Sequence, residues 1–548
     1  MRPEDRERIL TEAKARIVKA HTRNALGRGA ALDEVLADTV YFERQRLKDD
    51  PSPRRAKDLE FIKGIQKQLG RVGETQLQDL LGQAATRYAE EICGNFDERV
   101  YNIVTRVIPP TLGLMLNAVS PKRLLKRLPE FPSLDNAVII NGETEHLRRL
   151  HEHGTVIFTP THVSNMDSLI LGSAFYRLGL PPVIYGAGLN LFSNPLIGYF
   201  MHNLGAYTVD RRKKDPLYKE VLKEYATLTL ESGYNNLFFP GGTRARAGAI
   251  ERHLKLGLLG TNIRAYVNNL KRNAAQPKMF IVPVTLSFQL VLEGETLIDD
   301  FLKEVGKSRY IITDDEFSKP KRIFDFVSQM MGLDSKIYVT LSRGFDPFGN
   351  PVDDDGESLD PNGRIVDTAR YTYVDGAPEE CVQRDMEYTK ELGERIAESF
   401  MKNNLLQSTH VVAFAMLSLL RLANPQTDIV RLLRIGGRVN DLDMREVFRE
   451  VGRLLGVLRA MAADGKIRLA DMLQDSAFEA DEVVANALRH FSIYHKNPAI
   501  TRKGDRLFAT DRHLLFYYHN RLEGYDLAAP LGLKPVLRRN HRGLRGAA

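Results

Sequence analysis

The stretch Val156-Ile-Phe-Thr-Pro-Thr-His-Val-Ser-Asn-Met-Asp-Ser-Leu-Ile-Leu171 passes from one apolar run through a polar turn into another. Its first three residues are typical of a buried strand, and Pro160 is expected to end that strand. Ser164 suits the N-cap of a helix that opens near Met166, because its hydroxyl can accept a hydrogen bond from a helix-start N–H. The stretch therefore predicts a strand, a turn and a helix in sequence.

Two residues of this turn suit acid–base chemistry. His162 lies just before the predicted helix, in what we expect to be an exposed turn, and Asp167 lies in the first helical turn. A carboxylate there can hold one imidazole nitrogen and leave the other to accept a proton. The alternative is a satisfied turn histidine beside an ordinary helix-start acid, since a chain with 13 histidines gives roughly one chance match to this spacing.

The composition is that of a folded protein with a basic surface. Of 548 residues, 43% are hydrophobic and 27% are charged, and the net charge is +7. This charge favours anionic partners such as phosphorylated metabolites or an anionic membrane surface. The chain has no Trp and no basic-aromatic motif of a nucleic-acid module, so we expect no nucleic-acid partner.

Cysteine usage and apolar runs bear on the compartment. Cys93 and Cys381 lie far apart and match no metal spacing, and the amino terminus resembles a charged helix rather than a signal peptide. The longest apolar runs, 108–119 and 411–420, are shorter than the roughly 18 to 20 residues of a spanning helix. We therefore expect a cytoplasmic protein that is peripheral on the cytoplasmic face of the membrane and holds no metal.

The pattern divides the chain into four regions. Residues 1–134 are predicted to form a helical amino-terminal domain, whose apolar segment 103–117 is explained by core packing or by contact with a membrane. Residues 135–345 alternate strands and helices, which predicts an α/β layer with functional loops at strand ends. A loop-rich linker (346–378) and a helical carboxy-terminal region with a basic tail (379–548) follow. The strand candidates are 156–159, 183–185, 236–239, 280–286 and 336–341.

Arginines cluster after glycines in the α/β region. Gly205-Ala-Tyr-Thr-Val-Asp-Arg-Arg212 carries two, and Phe238-Phe-Pro-Gly-Gly-Thr-Arg-Ala-Arg-Ala-Gly248 carries two more before Lys255. Guanidinium groups beside free backbone N–H groups form a good phosphate cradle. Each arginine alone is explained by a solvated surface charge, whereas several in one region favour an anion site.

The order of these motifs resembles the four blocks of the glycerolipid acyltransferases, which share an HxxxxD motif. The blocks here are His162 to Asp167, Gly205 to Arg211, Phe239 to Arg246 with Lys255-Leu-Gly-Leu-Leu259, and Val282-Pro-Val284. Segments near Ile92, at 409–420 and at 514–520 are similar to flanking parts of glycerol-3-phosphate and dihydroxyacetone-phosphate acyltransferases. The resemblance covers the chain from about residue 85 to about residue 525.

The resemblance implies a central acyltransferase-type α/β domain between helical regions. It implies transfer of an acyl group from acyl-CoA or acyl carrier protein to the sn-1 hydroxyl of glycerol 3-phosphate, the first step of phospholipid synthesis, without a cofactor. His162 would act as the base and Asp167 would fix its tautomer. The implied substrate-binding residues are Arg211, Gly242, Thr243, Arg244, Arg246 and Lys255.

One departure from the family pattern concerns the acceptor. The third block normally reads Pro-Glu-Gly-Thr-Arg, with the acid thought to hold the glycerol hydroxyls, and here Gly241 replaces that acid. Either another acid substitutes, or the acceptor is dihydroxyacetone phosphate or 1-acylglycerol 3-phosphate, or the protein is a catalytically silent lipid-binding homologue. The intact His162 and Asp167 favour an enzyme, because a binding protein needs no base. Val163 and Asp210 also differ from the family letters, and we expect mild effects from both.

Overall fold

The computed structural model describes residues 1–25, 31–48, 50, 55–102, 137–189, 195–305 and 335–527. The apolar segment 103–117 and the basic residues 534–545, for which a membrane role was considered, lie outside these ranges. Helices and strands of the described residues are labelled below in chain order.

The amino-terminal region is helical, as predicted. Its helices are α1 (Pro3–Ala25), α2 (Leu32–Lys48), α3 (Arg55–Gln68) and α4 (Glu74–Ile92). Leu80, Leu81 and Ala84 recur at helical spacing on α4 and are buried. They pack in one cluster with Tyr218 and Tyr225 of the α/β region, so the amino-terminal helices share a core with it.

The central region alternates strands and helices. The elements are β1 (Val138–Gly142), α5 (Thr144–His153), β2 (Thr155–Pro160), α6 (Asp167–Arg177), β3 (Ile184–Gly188), α7 (Pro195–Asn203), β4 (Ala206–Val209), α8 (Pro216–Glu231), β5 (Asn236–Leu237), α9 (Leu256–Leu259), α10 (Thr261–Lys271), β6 (Met279–Phe288), α11 (Gly294–Val305) and β7 (Ile337–Leu341). The five strand candidates are confirmed with small changes of bounds. Because β5 ends at Leu237, Phe238 and Phe239 belong to the turn that follows it.

Within the described residues, seven strands form one sheet in the order β1-β7-β6-β2-β5-β3-β4. The neighbours β6, β2, β5, β3 and β4 run parallel, whereas β7 is antiparallel to β6. Every residue of β2 is buried, as expected for an inner strand covered on both faces. The carboxyl ends of five parallel strands therefore meet at one edge, where the loops of such sheets bind ligands.

Pro283 lies inside β6, although proline cannot donate a hydrogen bond to a neighbouring strand. On one side of β6, Ile281 exchanges backbone hydrogen bonds with Phe345, and the pairing with β7 begins at Val284. Pro283 falls between these two pairings. The proline is tolerated because it occupies the point at which β6 changes partner.

The remaining region is mostly helical, as predicted, and its linker is rich in turns. The elements are a 3-10 helix (Thr368–Thr372), β8 (Tyr373–Val374), β9 (Ala377–Pro378), α12 (Val382–Lys402), β10 (Leu405–Leu406), α13 (Ser408–Ala423), α14 (Ile429–Ile435), β11 (Asp441–Asp443), α15 (Met444–Ala463), β12 (Arg468–Leu469), α16 (Asp471–Gln474), α17 (Ala480–Phe491), β13 (Ile500–Lys503), β14 (Arg506–Ala509), α18 (Arg512–His519) and a second 3-10 helix (Asn520–Leu522). The small sheet β11-β14-β13 was not predicted, because its strands are three or four residues long.

Helix α13 explains the apolar run 411–420. Val411, Met416 and Leu420 are buried in the same cluster as Phe158 of β2. The helix is also fixed to the sheet by a hydrogen bond of 2.8 Å from the Thr409 hydroxyl to the carbonyl of Gln289. The run is therefore core. Across the described ranges, no helix combines the length and the apolar character needed to cross a membrane.

Candidate active site

The motifs predicted from the sequence meet at the carboxyl edge of the parallel strands. His162 follows β2, Arg211 follows β4, Arg244 and Glu251 follow β5, and Glu293 follows β6. These strands are parallel, so the topology brings together residues that are far apart in sequence.

His162 and Asp167 form a buried pair. His162 Nδ1 lies 2.9 Å from Asp167 Oδ2, and the two side chains are 14% and 0% exposed. The same carboxylate oxygen accepts hydrogen bonds from the N–H groups of Val163 (2.7 Å) and Ser164 (3.0 Å). The contact confirms that Asp167 can hold one ring nitrogen. With Nδ1 donating to Asp167, Nε2 is left to accept a proton.

The surroundings of His162 are more enclosed than the sequence suggested. Its ring stacks on Phe239, with centroids 4.0 Å apart and planes at 21°. The backbone N–H of His162 donates to the carboxylate of Glu251, with the nitrogen 3.1 and 3.3 Å from the two oxygens. The backbone carbonyl of His162 accepts from the N–H of Ala245 at 2.7 Å. The expectation of an exposed turn residue was wrong, because the turn after β5 covers the imidazole.

Burial and neighbouring cations set the protonation of the pair. Burial, followed by the positive charges of Arg244 and Arg211, lowers the pKa of His162 well below its usual value. The imidazole is therefore neutral near pH 7 and available as a base. Burial raises the pKa of Asp167, whereas the hydrogen bonds from Ser164 and Val163 and the charge of Arg244 act in the opposite direction and favour the carboxylate.

Glu293 connects the turn after β2 with Arg244. This buried carboxylate accepts hydrogen bonds from the Ser164 hydroxyl (2.8 Å) and the Asn165 N–H (3.0 Å), and one of its oxygens lies 3.4 Å from Arg244 Nη1. Ser164 does not flank the first helical residue as predicted. Met166 occupies the N-cap position of α6 and donates its N–H to the Ser164 hydroxyl at 3.1 Å. Ser164 instead joins the turn to Glu293.

The other predicted arginines differ in how their charge is balanced. Arg246 forms an ion pair with Glu304 of α11. Arg212 is held by Asp210 at 3.1 Å, so the acid that departs from the family letter occupies the neighbouring guanidinium. Arg211 is exposed and forms no ion pair with any described residue. Arg211 is therefore the cation of this set that is most available to a ligand.

Gly242, Thr243 and Lys255 form the outer part of the turn after β5. Gly242 has φ +74°, which favours glycine, and a Cβ there would lie 2.9 Å from Lys255 Cγ. The Lys255 N–H donates to the carbonyl of Pro240 at 2.6 Å. Thr243 and Lys255 are exposed. The structure thus places these three predicted residues on one surface beside the arginines.

Three charged residues that the sequence reasoning missed surround the His162–Asp167 pair: Glu251, Glu293 and Arg521. Arg521 is buried and donates to Asn404 Oδ1 and to the carbonyl of Leu286, each at 2.6 Å. Its positive charge acts on both Asp167 and Glu251. Glu293 and Arg521 could have been noticed in the sequence, because each is a charged residue next to an apolar leucine, as in Leu292-Glu293 and Arg521-Leu522.

Residues at the end of α18 contact the turn after β5, which carries Arg244 and Arg246. The side chain of Asn520 donates to the carbonyl of Ala247 at 2.9 Å, and a Cβ on Gly248 would lie 2.1 Å from the carbonyl oxygen of Tyr517. The carboxy-terminal region therefore shapes a turn that belongs to the α/β region. Among the described residues, no group of three or more His, Cys, Asp or Glu side chains is arranged to hold a metal ion.

Comparisons with known proteins agree with the motifs. Residues 141–287 match the model of the family described as Acyltransferase. The chain is 29% identical over 293 residues to a glycerol-3-phosphate acyltransferase of Pseudomonas fluorescens, covering 53% of this chain and 31% of that protein. It is 31% identical over 281 residues to the Pseudomonas syringae enzyme of the same name, covering 51% and 30%. With the Aeromonas hydrophila enzyme of that name, identity is 33% over 215 residues, covering 39% and 24%.

The chain thus spans about a third or less of the length of the curated relatives it matches. The matched family region contains His162, Asp167, the four arginine and lysine positions at 211, 244, 246 and 255, and both glycines of the Gly241-Gly242 turn. Residues 141–287 therefore match the acyltransferase family, and the chain is similar to glycerol-3-phosphate acyltransferases.

Proposed function

We propose that this protein transfers a fatty acyl group from a thioester, acyl-CoA or acyl carrier protein, to the sn-1 hydroxyl of glycerol 3-phosphate. The observation that carries the proposal is the contact of 2.9 Å between His162 Nδ1 and Asp167 Oδ2, beside Arg211 and Arg244. The pair supplies a neutral base, and the arginines supply charge for a phosphate. The names of the relatives support this acceptor.

The proton moves through His162. Nε2 takes the proton of the acceptor hydroxyl as its oxygen attacks the thioester carbonyl, and the new C–O bond forms. Asp167 stabilises the resulting imidazolium through Nδ1. The C–S bond then breaks, and the imidazolium returns its proton to the leaving thiolate. Each atom is accounted for without a cofactor, and positioned proton transfer of this kind contributes about 100- to 10,000-fold in rate.

We assign the phosphate of the acceptor to the surface formed by Arg211, Arg244, Arg246 and Lys255. Arg211 forms no ion pair with a described residue, whereas Arg244 and Arg246 are each held in place by a carboxylate, Glu293 and Glu304. Lys255 adds a further exposed cation, and the turn residues Gly242 and Thr243, of which Thr243 is exposed, directly precede Arg244. Holding the phosphate there fixes the hydroxyl relative to His162, which turns a bimolecular encounter into an oriented reaction.

The product is a lipid precursor, so we place the enzyme at the cytoplasmic face of the membrane, in the first step of phospholipid synthesis. The net charge of +7 supports attraction to an anionic membrane surface.

A thiol-release assay tests the proposal. Palmitoyl-CoA and palmitoyl acyl carrier protein are each paired with glycerol 3-phosphate, dihydroxyacetone phosphate or 1-acylglycerol 3-phosphate, using wild type beside His162→Ala. We expect release with glycerol 3-phosphate that depends on His162, and a product acylated at sn-1. Preference for another acceptor changes the assigned step. No release with any pair, in a folded protein that binds acyl chains, makes it a silent lipid-binding homologue.

A further inference from the structure

A glutamate fills the space beside Gly241. A Cβ built on Gly241 would lie 2.5 Å from Glu251 Oε1 and 2.8 Å from its Cδ. Such distances exclude a side chain at position 241 unless Glu251 moves. A carboxyl group therefore lies directly beside position 241, where the third block lacks its acid, and it is supplied from ten residues further along the chain.

Glu251 lies next to the base. Its carboxylate oxygens lie 3.1 and 3.3 Å from the backbone nitrogen of His162, and the residue is partly exposed. One N–H cannot saturate a carboxyl group, which offers about four acceptor positions. The carboxyl group of Glu251 therefore keeps unoccupied acceptor positions at the residue that carries the base.

The contrast with Glu293 shows which carboxylate is available. Glu293 is fully buried and is bonded to Ser164, Asn165 and Arg244. Glu251 forms no ion pair with any Arg, Lys or His of the described ranges. Glu293 therefore has a structural function, whereas Glu251 keeps acceptor capacity beside the backbone of His162.

We propose that Glu251 recognises the acceptor's non-reacting hydroxyl, the sn-2 hydroxyl of glycerol 3-phosphate. This inference rests on the proposed function and names the residue that selects the acceptor. The arginines bind the phosphate at one end, His162 faces the reacting hydroxyl at the other, and Glu251 accepts from the hydroxyl between them. An acceptor without that hydroxyl leaves the carboxyl group without its partner and is rejected.

The test compares glycerol 3-phosphate with 3-hydroxypropyl phosphate, which keeps the phosphate and the primary hydroxyl and lacks the secondary one. In wild type we expect kcat/KM to favour glycerol 3-phosphate by about 10-fold, because an acceptor without the secondary hydroxyl leaves a hydrogen-bonding position of Glu251 unsatisfied. Glu251→Ala should remove this preference, and Glu251→Gln should keep part of it. The double variant Gly241→Glu with Glu251→Ala should restore part of it, because a carboxyl group is again present in this turn.

A purely structural role gives a different result. If Glu251 only holds the turn of His162, Glu251→Ala lowers kcat/KM equally for both acceptors, and the inference is overturned. Glu357→Ala is the matched control, since Glu357 pairs with Lys278 at the amino-terminal end of β6, the opposite edge of the sheet, and should leave the preference unchanged.

Binding separates this inference from the proposed function. If wild type transfers acyl groups to neither acceptor, the proposed function fails, and calorimetric titration with the same two phosphates still tests Glu251. Tighter binding of glycerol 3-phosphate that is lost in Glu251→Ala supports the inference. Equal binding of the two ligands by wild type, or no binding, overturns it.

Discussion

The turn after β2 and the turn after β5 lie side by side at the carboxyl edge of the sheet, and they treat their charges differently. In the first, Asp167 Oδ2 accepts from His162, Val163 and Ser164, all within five residues. In the second, Arg244 and Arg246 depend on carboxylates from distant elements, and Glu251 forms no ion pair with a described residue. The first turn is held by hydrogen bonds among its own residues, whereas the second keeps charge and hydrogen-bonding capacity for a substrate.

Removing the base from the turn after β2 should have the largest effect on activity. His162→Ala leaves Asp167 without its ring partner and should lower kcat by about 100- to 10,000-fold. Steady-state thiol release measures this, and circular dichroism and thermal unfolding check that the variant is folded. Loss of the stacking on Phe239 should cost stability without unfolding the domain. Activity close to wild type in a folded variant would contradict the assignment of the base.

Removing a cation from the second turn should change substrate affinity instead. Arg244→Ala is expected to raise the KM of glycerol 3-phosphate by about 10- to 100-fold, as for a lost charge-assisted hydrogen bond, and to change the KM of the thioester little. Arg246→Ala serves for comparison, because its partner Glu304 is 60% exposed and the pair is solvated. Equal increases in both KM values for Arg244→Ala would argue against a phosphate site.

The support of the second turn by α18 can be tested through stability. Gly248→Ala places a Cβ 2.1 Å from the Tyr517 carbonyl oxygen at φ +80°, and should lower the free energy of unfolding by about 2–4 kcal/mol. Gly363→Ala is the control, since its φ is +78° and nothing lies within 4 Å of the added Cβ. Urea unfolding of both variants separates the contact from the backbone strain. Equal losses would mean that α18 does not restrain the turn.

The smallest expected effect is on the pH dependence of kcat/KM, through the cations that act on His162. Arg211 and Arg244 lower the pKa of His162, so the acidic limb of the kcat/KM profile should lie below pH 6.5. Arg211→Gln removes one positive charge, which raises that pKa and should move the limb to higher pH. Arg212→Gln should not move it, because Asp210 already holds Arg212. An unchanged limb in Arg211→Gln would show that Arg211 does not act on His162.

Local pattern was enough to predict much of the fold and the contact between His162 and Asp167. The strand, turn and helix of Val156–Leu171 follow from periodicity within sixteen residues, and so does the His162–Asp167 contact. Glu293 could not be predicted in the same way, because it bonds to Ser164 across 129 positions of sequence. Sequence patterns report neighbours along the chain, whereas the sheet order decides which distant loops meet.

The predictions of the helix N-cap and of the exposure of His162 failed for a related reason. Ser164 has the chemistry of a cap, and its hydroxyl does accept from the Met166 N–H, but the N-cap position is occupied by Met166 and the hydroxyl also donates to Glu293. His162 was expected to be exposed because it lies in a turn, but Phe239 covers its ring. In both cases the local pattern could not include a contact with a residue remote in sequence.

Arg521 has a consequence for the order in which the protein is made. It bonds to the carbonyl of Leu286, 235 positions earlier, and its charge acts on Asp167 and Glu251. A nascent chain therefore carries all four sequence blocks long before the cation that helps balance their acids has left the ribosome. Until then the half-made site lacks the buried cation whose charge acts on Asp167 and Glu251, and we expect activity to appear only when synthesis has passed that arginine.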